Sequence, residues 1–182
     1  MVRDAYANMH NFSNRIGRKK VEGTIFDLIE KDHHLKQGIA LVACQAADKL
    51  ARVIPTAFQS APPANENVLN DQIQAVLLSE NYYGLDYLRE GTAGKFILSQ
   101  SIPDHIVACN ELFLEAKLIK EKASPSKFEE QIAADITKYR ANNSRTYLLF
   151  VIYDIGRRIA DSIQWCEKLE AMGENIKVCV IK

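Results

Sequence analysis

The run Thr146-Tyr147-Leu148-Leu149-Phe150-Val151-Ile152-Tyr153-Asp154 is continuously apolar, of strand length, and lacks the alternation of a half-solvated strand. Such a strand belongs in a sheet covered on both faces, so the chain must supply helices for two sides. Lys127 to Arg140 carries Phe128, Ile132, Ile136 and Tyr139 at helical spacing, and Ser124-Pro125-Ser126 ahead of it provides a strand stop and a cap. Ile159 to Met172 reads as a further helix and Ile176 to Ile181 as a last strand. Upstream, Asn65 is a good cap for a helix over Glu66 to Glu80, with Val68, Leu69, Ile73, Val76 and Leu77 as its buried side. The expected fold class is α/β, a mixed central sheet flanked by helices.

Two more segments, Asp104 to Cys109 and Leu112 to Leu118, are rich in branched and aromatic residues and read as the arms of a hairpin. A tight turn at Cys109-Asn110 pairs Ala108 with Glu111 and, counting outward, Asp104 with Glu115. Opposed residues share a face, and Lys117, two positions on, shares it too. The reverse face then holds Val107, Cys109, Leu112, Leu114, Ala116 and Leu118, a surface fit for burial. Two carboxylates about 5 Å apart repel at neutral pH and favour a divalent cation between them, with hard oxygen ligands preferring magnesium or manganese to zinc. A lysine beside such an ion can hold a water or neutralise charge on a phosphate, which is the equipment of metal-assisted phosphodiester hydrolysis. The same spacing also suits an exposed hairpin with an ordinary surface ion pair.

Pro103-Asp104, a hairpin, and Glu115-Ala116-Lys117 inside an apolar strand resemble the signature of the PD-(D/E)xK superfamily, the restriction-endonuclease-like nucleases. The later segment is also similar to the branch of type II restriction enzymes that cut at GATC sites. That resemblance implies the restriction-endonuclease-like α/β fold and an endonuclease acting on DNA, with RNA or single-stranded DNA as other possible substrates. It makes Asp104 and Glu115 metal ligands, adds the backbone carbonyl of Ala116, and has Lys117 serve the attacking water. Mg2+ is the implied cofactor, with Mn2+ able to substitute. In several branches the helix after the catalytic strand points a Gln or Tyr at the metal or the phosphate. The series Gln131, Asp135, Tyr139 resembles that helix, with Gln131 as the catalytic helper, Tyr139 suited to the core and Asp135 to a local cap or pair. Glu66 stands where some branches place an additional metal-binding acid, although the helix dipole favours an acid in any first turn.

With 182 residues, 47% of them hydrophobic, the chain can bury a sizeable core. Its 23 basic and 23 acidic residues leave no net charge, which for a DNA enzyme points to a local basic groove or to a partner. Lys117, Lys120, Lys122 and Lys127 form one such cluster, and Arg15, Arg18, Lys19 and Lys20 a second. The cysteines, Cys44, Cys109, Cys166 and Cys179, show no metal-ligand spacing and read as reduced core thiols of a cytoplasmic protein. His33-His34 lacks a third ligand, and His105 falls on the pleat face opposite Asp104. No apolar stretch approaches the roughly 20 residues of a membrane span.

Residues 1–60 are expected to be a helical extension used for homodimerisation or for docking a partner protein, and 61–182 the nuclease core. Within the extension the pattern is helical from Val21 to Val53, with Gly38 a break or bend and Pro55 the end. Gln59 to Ala64 is a short connector. Lys95 to Gln100 is a candidate strand beside the hairpin. A second reading, a module that keeps this fold for binding alone, is disfavoured because all three signature residues are intact.

Overall fold

A computed structural model describes residues 17–79, 87–89, 103–107, 111–142 and 146–182. Contacts divide the chain between Gly38 and Ile39, and the unit from Ile39 onward carries the sheet. In chain order the elements are α1 (Gly17–Ala57), α2 (Glu66–Ser79), β1 (Leu88–Arg89), β2 (His105–Val107), β3 (Leu112–Ile119), α3 (Pro125–Asn142), β4 (Tyr147–Asp154), α4 (Ser162–Glu170) and β5 (Ile176–Ile181). The five strands lie in the order β1-β2-β3-β4-β5, antiparallel up to β3 and parallel from β3 to β5. This is the mixed, helix-flanked α/β sheet that the apolar run required.

β4 is buried along nearly its whole length because alternate residues feed two cores. On one face Leu149, Val151 and Tyr153 meet Leu112, Leu114, Ala116 and Leu118 of β3 beneath the second half of α1 and α2, with Ala43, Leu50, Ile54, Leu69 and Ile73 at the centre. On the other, Leu148, Phe150 and Ile152 pack with Ile119, Val178, and Ile132, Ile136, Trp165 and Leu169 from α3 and α4.

The hairpin register is the expected one. Ladder pairs His105–Leu114, Ile106–Phe113 and Val107–Leu112 extend by one step to Asp104 opposite Glu115. The turn at Cys109-Asn110 and the segment Lys95 to Gln100 lie outside the described residues; the strand beside β2 among those described is β1. Asn65 caps α2 as its sequence requires, its Oδ1 accepting from Val68 N at 3.1 Å.

Three boundaries differ from expectation, each for a local reason. Gly38 does not end α1, whose helical assignment continues past it, since one glycine costs a helix only about 1 kcal/mol. Pro55 sits in the last turn, and the helix ends two residues later at Ala57. α4 begins at Ser162 rather than Ile159 because Asp161 is its cap, accepting from Gln164 N at 3.0 Å. Cys44 is exposed and Cys166 and Cys179 are half-buried free thiols, so these three are not fully buried core residues. Among the described residues no helix is long and apolar enough to cross a membrane.

Candidate active site

β2 pairs only with the first half of β3, and among the described residues no strand covers the edge of β3 from Glu115 onward on that side. Carboxylates take the place of the missing strand. Asp104 Oδ2 accepts from Ala116 N at 2.8 Å, and Glu66 Oε1, at the start of α2, accepts from Leu118 N at 3.1 Å. The odd-numbered carbonyls of β3 face β4 and its connections, as shown by Tyr147 N on Glu111 O and Gly156 N on Ile119 O. The N–H and C=O of a strand residue point the same way. The Ala116 carbonyl therefore faces that same edge, between Asp104 and Glu66.

Glu115 and Lys117 project toward α3. The Asp104 N–H donates to Glu115 Oε2 at 3.3 Å, so the two acids are immediate neighbours. Lys117 Nζ lies 3.1 Å from Glu115 Oε1 and 3.3 Å from Asp135 Oδ2, and all three side chains are at most 13% exposed. The hydroxyl of Tyr139, one turn beyond Asp135, donates to Glu115 Oε2 at 2.9 Å. Its ring stands edge-on to Phe113, with centroids 5.6 Å apart.

Burial and then the neighbouring Asp104 charge raise the Glu115 pKa from 4.5 to about 7, against the opposing pull of Lys117 and Tyr139. For Lys117, burial is the largest single influence and disfavours the charge, but Glu115 and Asp135 together outweigh it and hold the pKa above its ordinary value. Lys117 is thus an ammonium, and the site carries more negative charge than one lysine balances.

On the α2 side of the sheet, His105 is fully buried between Asn70 Oδ1 at 3.0 Å from Nε2 and the Tyr87 hydroxyl at 2.7 Å from Nδ1. Burial, helped by Arg89, lowers its pKa to about 3. A neutral ring donating to Asn70 and accepting from Tyr87 satisfies every partner, so His105 ties β2 to α2 and β1 behind Asp104.

Of the α3 series, the structure brings Asp135 and Tyr139 to the signature residues. Gln131 is exposed and makes no bond to Asp104, Glu115 or Lys117. Reading Tyr139 as core was half of its character, for it is 3% exposed and spends its hydroxyl on Glu115. The i, i+4 series on one helix flank named these residues, and the contacts of Asp135 with Lys117 and of Tyr139 with Glu115 are what the structure adds. Tyr139→Phe removes a donor that favours the charged form of Glu115, so the Glu115 pKa is expected to rise beyond about 7. Carboxyl titration followed by NMR in parent and variant checks the direction; an unchanged midpoint contradicts it.

The donors available to a cation are hard oxygens: Asp104, Glu115, the Ala116 carbonyl and, across the edge, Glu66. Among the described residues no three acidic, histidine or cysteine side chains are already gathered about one point. The surplus negative charge at Asp104 and Glu115 nonetheless matches a divalent ion in kind. Beside this edge a cavity of about 460 Å³ is lined by Asn65, Glu66, Asn67, Leu118 and Lys120.

A family model described as the DpnII-MboI restriction endonuclease (REase_DpnII-MboI) matches residues 86–182, a stretch that holds β1 to β5 with Asp104, Glu115, Ala116, Lys117, Asp135 and Tyr139, but not Glu66. No curated protein and no solved structure matches the chain.

Proposed function

Because the chain belongs to the DpnII-MboI restriction endonuclease family, whose members cleave DNA, we propose that it is a divalent-metal-dependent endonuclease working through Asp104, Glu115 and Lys117. Restriction or another defence against foreign DNA is the role that fits the family. The observation that carries the site assignment is the clustering of the Asp104 and Glu115 carboxylates with the Lys117 ammonium at a strand edge where, among the described residues, no strand pairs with Ala116 on that side.

Asp104, Glu115 and the Ala116 carbonyl would hold the cation, Mg2+ by preference with Mn2+ as substitute, and Glu66 would support it from the far side of the edge. Such an ion would supply a lowered pKa for an attacking water and withdrawal of charge from the scissile phosphate. The chain supplies the rest. Lys117, kept protonated, donates to the water or to a phosphate oxygen and opposes the charge that grows there. Asp135 fixes the ammonium from the helix side, and Tyr139 fixes Glu115. Water oxygen bonds to phosphorus as the bond to the 3′ oxygen breaks; the water gives up one proton to solvent and the departing oxygen takes one from solvent, leaving a 5′-phosphate and a 3′-hydroxyl. A homodimer would present two such sites to two antiparallel strands.

The test uses the purified full chain, supercoiled plasmid and short duplexes with and without a GATC site, each with Mg2+ or EDTA, beside Asp104→Ala. Magnesium-dependent cutting by the parent and none by the variant is the expected result. Equal cutting by both would place the activity elsewhere, and inertness toward every duplex with Mg2+ and Mn2+ would favour a binding module.

A further inference from the structure

At the end of β4 a small loop is held in shape by buried contacts. Asp154, the last residue of β4, is completely buried and, among the described residues, pairs with no cation, spending one carboxylate oxygen on Arg158 N at 2.9 Å and the other on Ile159 N at 2.8 Å. Gly156 N reaches across to Ile119 O at 3.1 Å. A Cβ on Gly156 would lie 2.7 Å from backbone atoms of Lys120 and Glu121, so only glycine lets the loops after β3 and β4 approach this closely. Between these constraints Arg157 is forced to a φ of 49°, a conformation that a long side chain adopts at an energetic cost. Strain of this kind persists only where the surroundings over-determine it, and it gathers at functional sites.

The product of this fixation is an exposed pair of arginines. Arg157 and Arg158 stand in solvent beside Lys120 and Lys122 of the neighbouring loop, with Glu121 the exposed acid among them. Arg158 Nε bonds Ala123 O at 3.4 Å and Lys120 Nζ bonds Ala64 O at 2.7 Å, contacts that aim each side chain while leaving further donors open. Asp154 is the ladder partner of Ile119, two residues past Lys117, so the loop begins about 7 Å along the strand from the proposed reaction centre. It also lies at the carboxyl ends of parallel strands, where open α/β sheets take their ligands.

Resting on the nuclease reading above, we propose that the Arg157-Arg158 loop, with Lys120 and Lys122, is a pre-formed clamp for DNA backbone phosphates adjoining the cut. A chain with no net charge cannot hold DNA by its overall field and needs such a local surface. Buried Asp154 and Gly156 hold the clamp in place before DNA arrives.

The experiment measures affinity of the full chain for a short fluorescent duplex bearing a GATC site, in EDTA, between about 50 and 200 mM salt. The test variant is Arg157→Asn/Arg158→Gln: asparagine tolerates the left-handed conformation, so its thermal midpoint should be no lower than that of the parent. Loss of two phosphate contacts should flatten the slope of log affinity against log salt by about 2 and weaken binding at least about 10-fold at low salt. Lys177→Gln removes a charge at the start of β5, the opposite end of the sheet, and should leave the slope unchanged. A parent that binds while the double variant keeps its slope and affinity overturns the clamp alone, as does an equal loss in Lys177→Gln. A parent that binds no duplex in EDTA overturns the clamp, while the function it rests on stands or falls on the magnesium-dependent cutting of plasmid and duplex described above.

Discussion

Replacing Glu115 by glutamine is expected to abolish DNA cleavage and, in the absence of divalent ions, to make the folded protein harder to unfold at pH 8. The Glu115 pKa is raised on folding from 4.5 to about 7, so the folded state resists ionising this group. Below pH 4.5 the carboxyl is protonated whether the chain is folded or not, and it costs nothing. Between 4.5 and 7 the unfolded chain loses the proton while the folded one keeps it, and stability falls as pH rises. Above 7 the penalty is complete, about 3 kcal/mol. Glutamine removes that penalty along with the negative charge. Part of the gain is offset because Lys117 loses one of its two acidic partners, but Asp135 at 3.3 Å remains. A net gain of about 1–2 kcal/mol at pH 8, a thermal midpoint a few degrees higher, and no gain at pH 4 are the expected outcome. Added Mg2+ should stabilise the parent at pH 8 more than the variant, because binding to the folded state alone raises its stability. A variant that melts below the parent at pH 8 would mean that Lys117 and Tyr139 satisfy Glu115 fully and that the site holds no surplus charge.

Lys117→Met should move stability the opposite way while also destroying activity. The ammonium is the positive charge between Glu115 and Asp135, and removing one member of a buried ion pair leaves uncompensated charge, at about 3 kcal/mol or more. Loss of the donor that opposes charge on the phosphate should lower the cleavage rate by at least about 100-fold. The destabilisation should be largest at pH 8 and shrink toward pH 5, since Glu115 then takes up a proton and one of the stranded charges disappears. Denaturant titrations at the two pH values and single-turnover cleavage of plasmid read these effects separately. Unimpaired cleavage would remove Lys117 from the chemistry, and a loss of stability independent of pH would assign its worth to packing of the aliphatic stem.

These opposite signs follow from a site that folding assembles against its own electrostatic preference. Asp104 and Glu115 come together because the hairpin register places them opposite each other, and that register is anchored by apolar partners on the other face of the pleat: Val107, Leu112, Leu114, Ala116 and Leu118. A slip of one residue would turn all of them to the wrong side. Core packing therefore sustains a cluster of charge that would disperse in an unstructured chain.

The hairpin pairing, the doubly covered β4 and the Asn65 cap were legible in the chain because each depends on neighbours in sequence or on a period of two. The reach of α3 was not. Gln131, Asp135 and Tyr139 lie on one flank, but each step of four residues rises about 6 Å and turns the side chain a further 40°. Which turn arrives beside Lys117 depends on how the helix axis crosses the sheet, and that is settled by how Ile132 and Ile136 seat on Phe150 and Ile152. Glu66 on Leu118 N joins residues 52 positions apart, a contact no local pattern encodes.

Strand periodicity, register and the identities of the acids and the amine could be read from the chain before any packing, since pleat geometry and local capping act over a few residues. It took the packed fold to leave β3 without a strand partner on its β2 side from Glu115 onward among the described residues, to bring Asp135 and Tyr139 onto Lys117 and Glu115, and to bury Asp154 beneath a basic loop. Those outcomes arise from the docking of whole elements, where packing of distant apolar surfaces fixes positions that no short stretch of chain specifies.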